Sequence, residues 1–306
     1  MQLGMVGLGK MGANMTKRLA DAGHTLVVTD LNADAVATAS THAQVTGVAD
    51  LATLVATLSA PRVVWIMVPD GNPTEQTVMQ LSSLLEAGDI LIDGGNSNYN
   101  ETLRRGEWLA SMGIHMVDVG TSGGIWGLTE GYSLMIGGET EAVQSLAPIF
   151  ESLAPAPDRG WGHVGPRGSG HFTKMVHNGI EYGMMQAYAE GFEILKAKEA
   201  FQLDTHQIAR IWQHGSVVRS WLLDLTADAL EADPNLSEIV GYVNDSGEGR
   251  WTVNTAIELS VPAPVIAAAL FARFESRRND AYANKILAAM RNQFGGHAVL
   301  KKDTPE

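Results

Sequence analysis

From the first residue to about residue 165, short apolar runs of strand length alternate with amphipathic stretches of helical period. Residues 1–9 read as a buried strand ending in glycine. The helical run behind it extends to Ala22, with Gly23 as its stop. A second strand, TLVVT, is expected at 25–29, short helices at 32–39 and 51–59, and a buried strand at 62–68 that Pro69-Asp70-Gly71 ends. The alternation continues with a helix at 74–85, a strand at 89–93, a helix at 101–112 and strands at 115–119 and 133–137. A helix at 139–153 and a last strand at 161–164 follow, within a stretch punctuated by Pro155, Pro157, Gly160, Gly162, Gly165 and Pro166. After Gly170 the pattern is helical only, with helices expected at 171–198, 204–213, 220–231, 254–260, 264–278 and 281–290. The tail, 291–306, has no strong periodicity and reads as a frayed end or as an arm that docks elsewhere.

Gly7-Leu8-Gly9-Lys10-Met11-Gly12 lies between the first strand and its helix, and Asp30 stands at the tip of the second strand. This is the βαβ pattern of a dinucleotide site. Gly7 permits the tight turn, Gly9 admits a pyrophosphate to the backbone, and Gly12 lets helix and strand pack. Leu8 and Met11 line the same turn. The helix start supplies amides and a partial positive charge for phosphates. A carboxylate at Asp30 accepts from ribose hydroxyls and repels a 2′-phosphate, and Leu31 and Asn32 offer no cation, so NAD is expected over NADP. The expected fold class is an α/β Rossmann domain followed by an all-α domain. The divisions are residues 1–165 for the dinucleotide, 166–290 for substrate and dimerisation, and 291–306 as a C-terminal arm. Ligands sit at the carboxyl ends of such strands, so Val68-Pro69 and Gly94-Gly95-Asn96 should border the nicotinamide. The stretch from Gly120 to Gly127 reads as a loop whose amides and hydroxyl fit a substrate carboxylate or hydroxyl.

The chain has 306 residues, 45% hydrophobic and 18% charged, with a net charge of −13. That acidity disfavours nucleic acid and anionic membranes, and an anionic substrate then requires a local cluster of Arg, Lys and His. The absence of Cys excludes disulfides and thiolate metal sites, and the His residues lack HExxH spacing, so no metal is expected. The start shows no basic leader, and the best apolar run, 261–271, is too short for a bilayer and holds two prolines. A cytoplasmic enzyme is the expectation.

Within the long helix expected from 171, Lys174, His177, Asn178 and Glu181 stand at offsets of zero, three, four and seven, on one face. Lys174 and Glu181 are two turns apart, roughly 10 Å along the axis. That spacing suits a small substrate between a base and an acid. A lysine base must be neutral to act, and a carboxyl acting as the acid must hold its proton.

GLGKMGANM, DGGNS, Ser122-Gly123-Gly124 and HFTKMVHNGIEYGMMQ together resemble decarboxylating 6-phosphogluconate dehydrogenase. Gly249-Arg250-Trp251-Thr252, Phe271-Ala272-Arg273 and Phe294-Gly295-Gly296-His297 extend the likeness over nearly the whole chain, at the length of the family's short branch. The resemblance implies oxidative decarboxylation of 6-phosphogluconate to ribulose 5-phosphate and carbon dioxide. It implies that Lys174 is the general base on the 3-hydroxyl and Glu181 the acid that protonates C1 of the enediol. Asn96, Ser122, Gly123, Gly124, His177 and Asn178 then surround the carboxylate and hydroxyls, while Tyr182, Arg273 and Arg291 contact the phosphate. His297 reaches the substrate from a neighbouring subunit's tail, which implies a homodimer or homotetramer. Two departures stand out. NADP-using relatives commonly place Asn and Arg where this chain has Asp30 and Leu31. Longer relatives place Lys and Thr against the phosphate where Ser246 and Glu248 stand here.

Two other readings compete. A β-hydroxyacid dehydrogenase acting on a small non-phosphorylated acid would share the nucleotide half and Lys174, but has no need of the Arg273, Arg291 and His297 set. A non-catalytic NAD sensor would need neither Lys174 nor Glu181.

Overall fold

The computed structural model describes residues 1–295 and 298–300. In chain order, β1 (Gln2–Val6), α1 (Lys10–Asp21) and β2 (Thr25–Thr29) form the first crossover, followed by α2 (Ala33–Ala39), β3 (Val45–Gly47), α3 (Leu51–Thr57) and β4 (Val63–Ile66). Next come α4 (Asn72–Ser82), β5 (Ile90–Asp93), α5 (Tyr99–Ala110) and β6 (His115–Ser122). The α/β part ends with α6 (Gly127–Glu130), β7 (Ser133–Gly137), α7 (Thr140–Ser145), α8 (Ala147–Leu153) and β8 (Trp161–Gly165). The helical part comprises α9 (Ser169–Ala197), α10 (Thr205–Trp212), α11 (Trp221–Ala232), α12 (Glu248–Glu258), α13 (Pro264–Glu275) and α14 (Tyr282–Gly295).

Among the described residues, eight strands join one sheet in the order β3-β2-β1-β4-β5-β6-β7-β8. Strands β1 to β6 run parallel; β7 is antiparallel to β6, and β8 is parallel to β7. Helices cover both faces of such a sheet, which is why β1, β2, β4 and β5 are near-continuous apolar runs with buried residues on both sides. One face packs Leu3, Met15, Trp65, Tyr132 and Phe150; the other packs Leu54, Val78, Leu81 and Leu109. The order reverses between β1 and β4, so a crevice opens beyond their carboxyl ends.

The chain divides into two compact units, Met1–Gly179 and Ile180–Glu306, so α9 starts in the first and ends in the second. Within the second unit the buried apolar clusters are small: Ala209, Leu223, Ala227 and Leu230 form one, and Tyr182, Ala269 and Leu270 the other. No helix among the described residues is long and apolar enough to cross a membrane.

Side-chain caps start several helices where the sequence suggests. Asp50 accepts from the Thr53 amide, Asp204 from Gln207 and Ser220 from Leu223. Other boundaries move. β3 is a three-residue edge strand with one buried side chain, too short for a periodic signal. The helix expected at 139–153 is broken at Leu146, because Pro148 suits the first turn of a new helix and not the middle of an old one. α12 begins at Glu248 behind Gly247, whose φ of +97° turns the chain into it, six residues before the expected start. α14 runs on to Gly295, which places Arg291 inside a helix rather than in a tail.

Candidate active site

The nucleotide end is built from glycines whose missing side chains are needed. Gly7 has φ +95°, and a Cβ there would lie 2.6 Å from the Met67 carbonyl oxygen. A Cβ on Gly12 would lie 2.0 Å from the Gly7 carbonyl oxygen. Gly9 is different: a Cβ there would meet nothing within 4 Å, so its open side faces free space at the start of α1. No side chain caps α1, and a bare helix start with glycine access is an anion site. Leu8 donates its N–H to Asp30 Oδ2 at 2.5 Å, and Asn32 donates to Oδ1 at 2.7 Å. The carboxylate is thereby fixed at the mouth of the glycine turn, with lone pairs left to accept further hydrogen bonds.

The β4 and β5 exits meet beside it. A Cβ on Gly95 would lie 2.6 Å from the Val68 carbonyl oxygen, and Thr74 Oγ1 donates to the Pro69 carbonyl at 2.9 Å. Asp93 is fully buried; it accepts from the Gly95 N–H at 3.0 Å and from Ser97 Oγ at 2.7 Å, which curls the loop back onto the strand. Asn96 takes a left-handed φ of +54°. Its side chain clasps the next exit reciprocally: Nδ2 donates to the Thr121 carbonyl at 3.0 Å, and Oδ1 accepts from the Thr121 N–H at 2.8 Å. Asn96 therefore joins the β5 exit to the β6 exit through one amide.

The segment from Gly120 is not a loop at its start. β6 continues to Ser122, and Gly120, Thr121 and Ser122 pair with Met135, Leu134 and Ser133 of β7. The turn begins at Gly123, φ +132°, and Gly124, φ +53°, whose Cβ would face open space. The exposed backbone foreseen from Gly120 thus starts three residues later, because β7 is antiparallel and extends the ladder.

Asp118 and three glycines seat α9. The buried Asp118 carboxylate accepts from the Gly168 N–H at 2.6 Å and the His171 N–H at 2.8 Å, capping the helix from β6. A Cβ on Gly170 would lie 2.5 Å from both the Asp118 and Met135 carbonyl oxygens, and one on Gly137 would lie 2.7 Å from the Gly170 nitrogen. A Cβ on Gly120 would lie 2.4 Å from Lys174 Cβ. Backbone thus packs on backbone, and Lys174 lies against β6, 5% exposed. Lys174 Nζ donates to Asn178 Oδ1, and His177 Nδ1 lies 3.0 Å from the same oxygen. Lys174, His177 and Asn178 are therefore one hydrogen-bonded group. Glu181 follows on the same helix and is half-buried.

In the helical unit, Tyr182 is 5% exposed and packs with Ala269 and Leu270. Its hydroxyl accepts from the Ser246 N–H at 2.9 Å, and the Arg273 guanidinium stacks 3.7 Å from its ring centroid. Arg273 also donates to the Asn244 carbonyl at 2.9 Å. Glu248 is buried, with Ser246 Oγ donating to its Oε2 at 3.2 Å, so its carboxylate turns inward. Arg250, and after it Arg277, hydrogen-bonds Asp245 and holds that carboxyl below its ordinary range, which anchors the segment. Arg291 is exposed on α14, and His297 lies outside the described residues. Neither Asp118 nor His171 stands out from the sequence as a functional residue. The one available signal was an acid inside an otherwise apolar strand.

Comparison with known proteins accounts for both halves of the chain. Residues 2–164 match the NAD binding domain of 6-phosphogluconate dehydrogenase, and residues 170–295 match the 6-phosphogluconate dehydrogenase C-terminal domain. An NAD(+)-dependent, decarboxylating 6-phosphogluconate dehydrogenase from Haloferax volcanii is 43% identical over 99% of this chain and 100% of its own. The solved Plasmodium falciparum 6-phosphogluconate dehydrogenase, described apo, with NADP+ and with 6-phosphogluconate, superposes with a TM-score of 0.83 at 27% identity, covering 100% of this chain and 67% of that one. A 3-hydroxyisobutyrate dehydrogenase from Mycobacterium tuberculosis, at 21% identity and a TM-score of 0.73 over 95% of this chain and 99% of that one, shares the fold. The chain belongs to the 6-phosphogluconate dehydrogenase family.

Proposed function

We infer that this protein is an NAD+-dependent 6-phosphogluconate dehydrogenase, which oxidatively decarboxylates 6-phosphogluconate to ribulose 5-phosphate and carbon dioxide. The observation that carries the reading is end-to-end: 43% identity over 99% of the chain to an NAD(+)-dependent, decarboxylating enzyme. The tethered Asp30 at the nucleotide mouth supports the same cofactor. Likeness to the 3-hydroxyisobutyrate dehydrogenase is one of fold; the inward carboxylate of Glu248 opposes a phosphate, while Arg273 beside Tyr182 supplies a cation for one.

When bound, NAD+ supplies the hydride acceptor. The chain's own residues do the rest. We assign Lys174, neutral when it acts, to take the proton of the substrate's 3-hydroxyl. Asn178 and His177, bonded to one another, hold the amine in place. The resulting 3-keto acid loses its carboxylate as carbon dioxide, with the carbonyl stabilised by hydrogen bonding. Glu181, two turns along the helix, gives a proton to C1 of the enediol. We assign Asn96, Ser122, Gly123 and Gly124 to the carboxylate and hydroxyls, and Tyr182, Arg273 and Arg291 to the phosphate, as the family resemblance implies. We also place residues from 296 onward as an arm that completes the site of a neighbouring subunit with His297, in a homodimer or homotetramer.

The test is NADH formation and carbon dioxide release measured together with 6-phosphogluconate. Equal yields are expected, with Lys174→Ala lowering turnover by about 1000-fold while NAD+ still binds. A preference for 3-hydroxyisobutyrate, or near-wild-type turnover by the variant, would overturn the reading.

A further inference from the structure

We propose that His171 is a positioning residue: its imidazole fixes the first turn of α9 to the β5 exit, and so sets where Lys174 stands. The proposal rests on the reading of Lys174 as the base. His171 is 1% exposed, three residues before Lys174, and touches no part of the site directly assigned to substrate. Its Nε2 lies 3.1 Å from the Asp93 carbonyl oxygen. A carbonyl only accepts, so Nε2 carries the proton and donates. Its Nδ1 lies 2.7 Å from Thr102 Oγ1 on α5; in the neutral ring it accepts from that hydroxyl, whose other and longer contact is the Asn98 carbonyl at 3.3 Å. The backbone N–H of the same residue donates to Asp118 on β6. One residue thus ties α9 to β5, α5 and β6.

The glycine crossing and the imidazole constrain different motions. Gly120 and Gly170 set how closely α9 approaches the sheet. They offer no oriented bond against rotation of the helix about its axis or sliding along it. The two ring bonds of His171 do. The carbonyl that Nε2 holds belongs to Asp93, whose carboxylate folds the loop through Gly95 and Ser97 and so also sets Asn96. The imidazole therefore couples the position of the base to that of the loop beside the nucleotide end. A displacement of about 1 Å between a base and its proton costs about 100-fold in rate.

The experiment compares His171→Leu, His171→Gln and Thr102→Val in the full-length enzyme, with circular dichroism and thermal unfolding to establish folding. For His171→Leu, kcat should fall about 100-fold while KM for 6-phosphogluconate and Kd for NAD+ stay within about threefold. Glutamine presents a donor and an acceptor to the same two partners, so His171→Gln should recover most of the loss. Thr102→Val, nearly isosteric, removes the Nδ1 partner together with the longer 3.3 Å bond to the Asn98 carbonyl, and should lower kcat by about tenfold. If His171→Leu does not fold, Thr102→Val decides. The proposal is overturned by kcat within about threefold of wild type in whichever variant decides, by loss in NAD+ affinity instead of kcat, or by a glutamine variant as impaired as leucine. Lys174→Ala run alongside separates the two failures. Full turnover there removes the base and this proposal with it; an inactive Lys174→Ala beside an unimpaired His171→Leu removes the positioning role alone.

Discussion

Each oxygen of the Asp30 carboxylate accepts one backbone N–H, from Leu8 at 2.5 Å and from Asn32 at 2.7 Å. A side chain held from both sides has little freedom to swing away; if it faces the ribose, as we propose, it cannot make room for a 2′-phosphate. Cofactor choice should therefore depend strongly on this one group. Asp30→Ala is expected to narrow the NAD+ to NADP+ ratio of kcat/KM by about 10- to 100-fold, the worth of a charge-assisted hydrogen bond plus relief of repulsion. Steady-state kinetics with both cofactors check it, and an unchanged ratio would move the discrimination elsewhere. Glu248 is the opposite case. The sequence marks it as a departure from longer relatives, and its inward turn toward Ser246 appears only in three dimensions.

Among the elements, α9 depends on close backbone approach. A Cβ on Gly120 would lie 2.4 Å from Lys174 Cβ and 2.6 Å from the Gly170 carbonyl oxygen, neither of which is a flexible side-chain end. Gly120→Ala should push α9 off β6, costing about 1–3 kcal/mol of stability and lowering kcat more than it changes KM. Denaturant unfolding and steady-state kinetics on the one variant test both, and an unaltered kcat in a folded, undestabilised protein would contradict the packing argument. The same contact shows what the sequence held and what it did not. Alternating apolar runs and the GLGKMG turn made the strands, helices and nucleotide end legible, because those signals are local. Gly120 was legible as a glycine but not as the seat of Lys174, since that contact joins residues 54 positions apart. The antiparallel β7 extends β6 through Ser122, and no periodicity within either strand announces the pairing. Asp118 and His171 act through partners distant in the chain, so their roles were invisible before the fold was known.

For the whole molecule, the informative contrast is where apolar surface remains. The α/β unit buries large side chains on both sheet faces. The helical unit leaves Ile194 71%, Ile257 72%, Val265 68% and Phe271 59% exposed, beside two small buried clusters. We propose that a second copy of the chain covers these residues, the partner that the arm proposal also needs. Self-association should make thermal stability rise with protein concentration. A stronger test mixes two inactive chains, one lacking residues 296–306 and one carrying Lys174→Ala. In a mixed oligomer, the truncated chain supplies an intact Lys174 and its neighbour supplies an intact arm, so one kind of site is whole again. Activity should return on mixing under conditions that exchange subunits, measured as NADH formation with 6-phosphogluconate. If the truncated chain is fully active alone, residues 296–306 contribute nothing to the site. If both chains are inactive and the exchanged mixture stays inactive, the tail serves its own subunit, and the exposed helical surface needs another account.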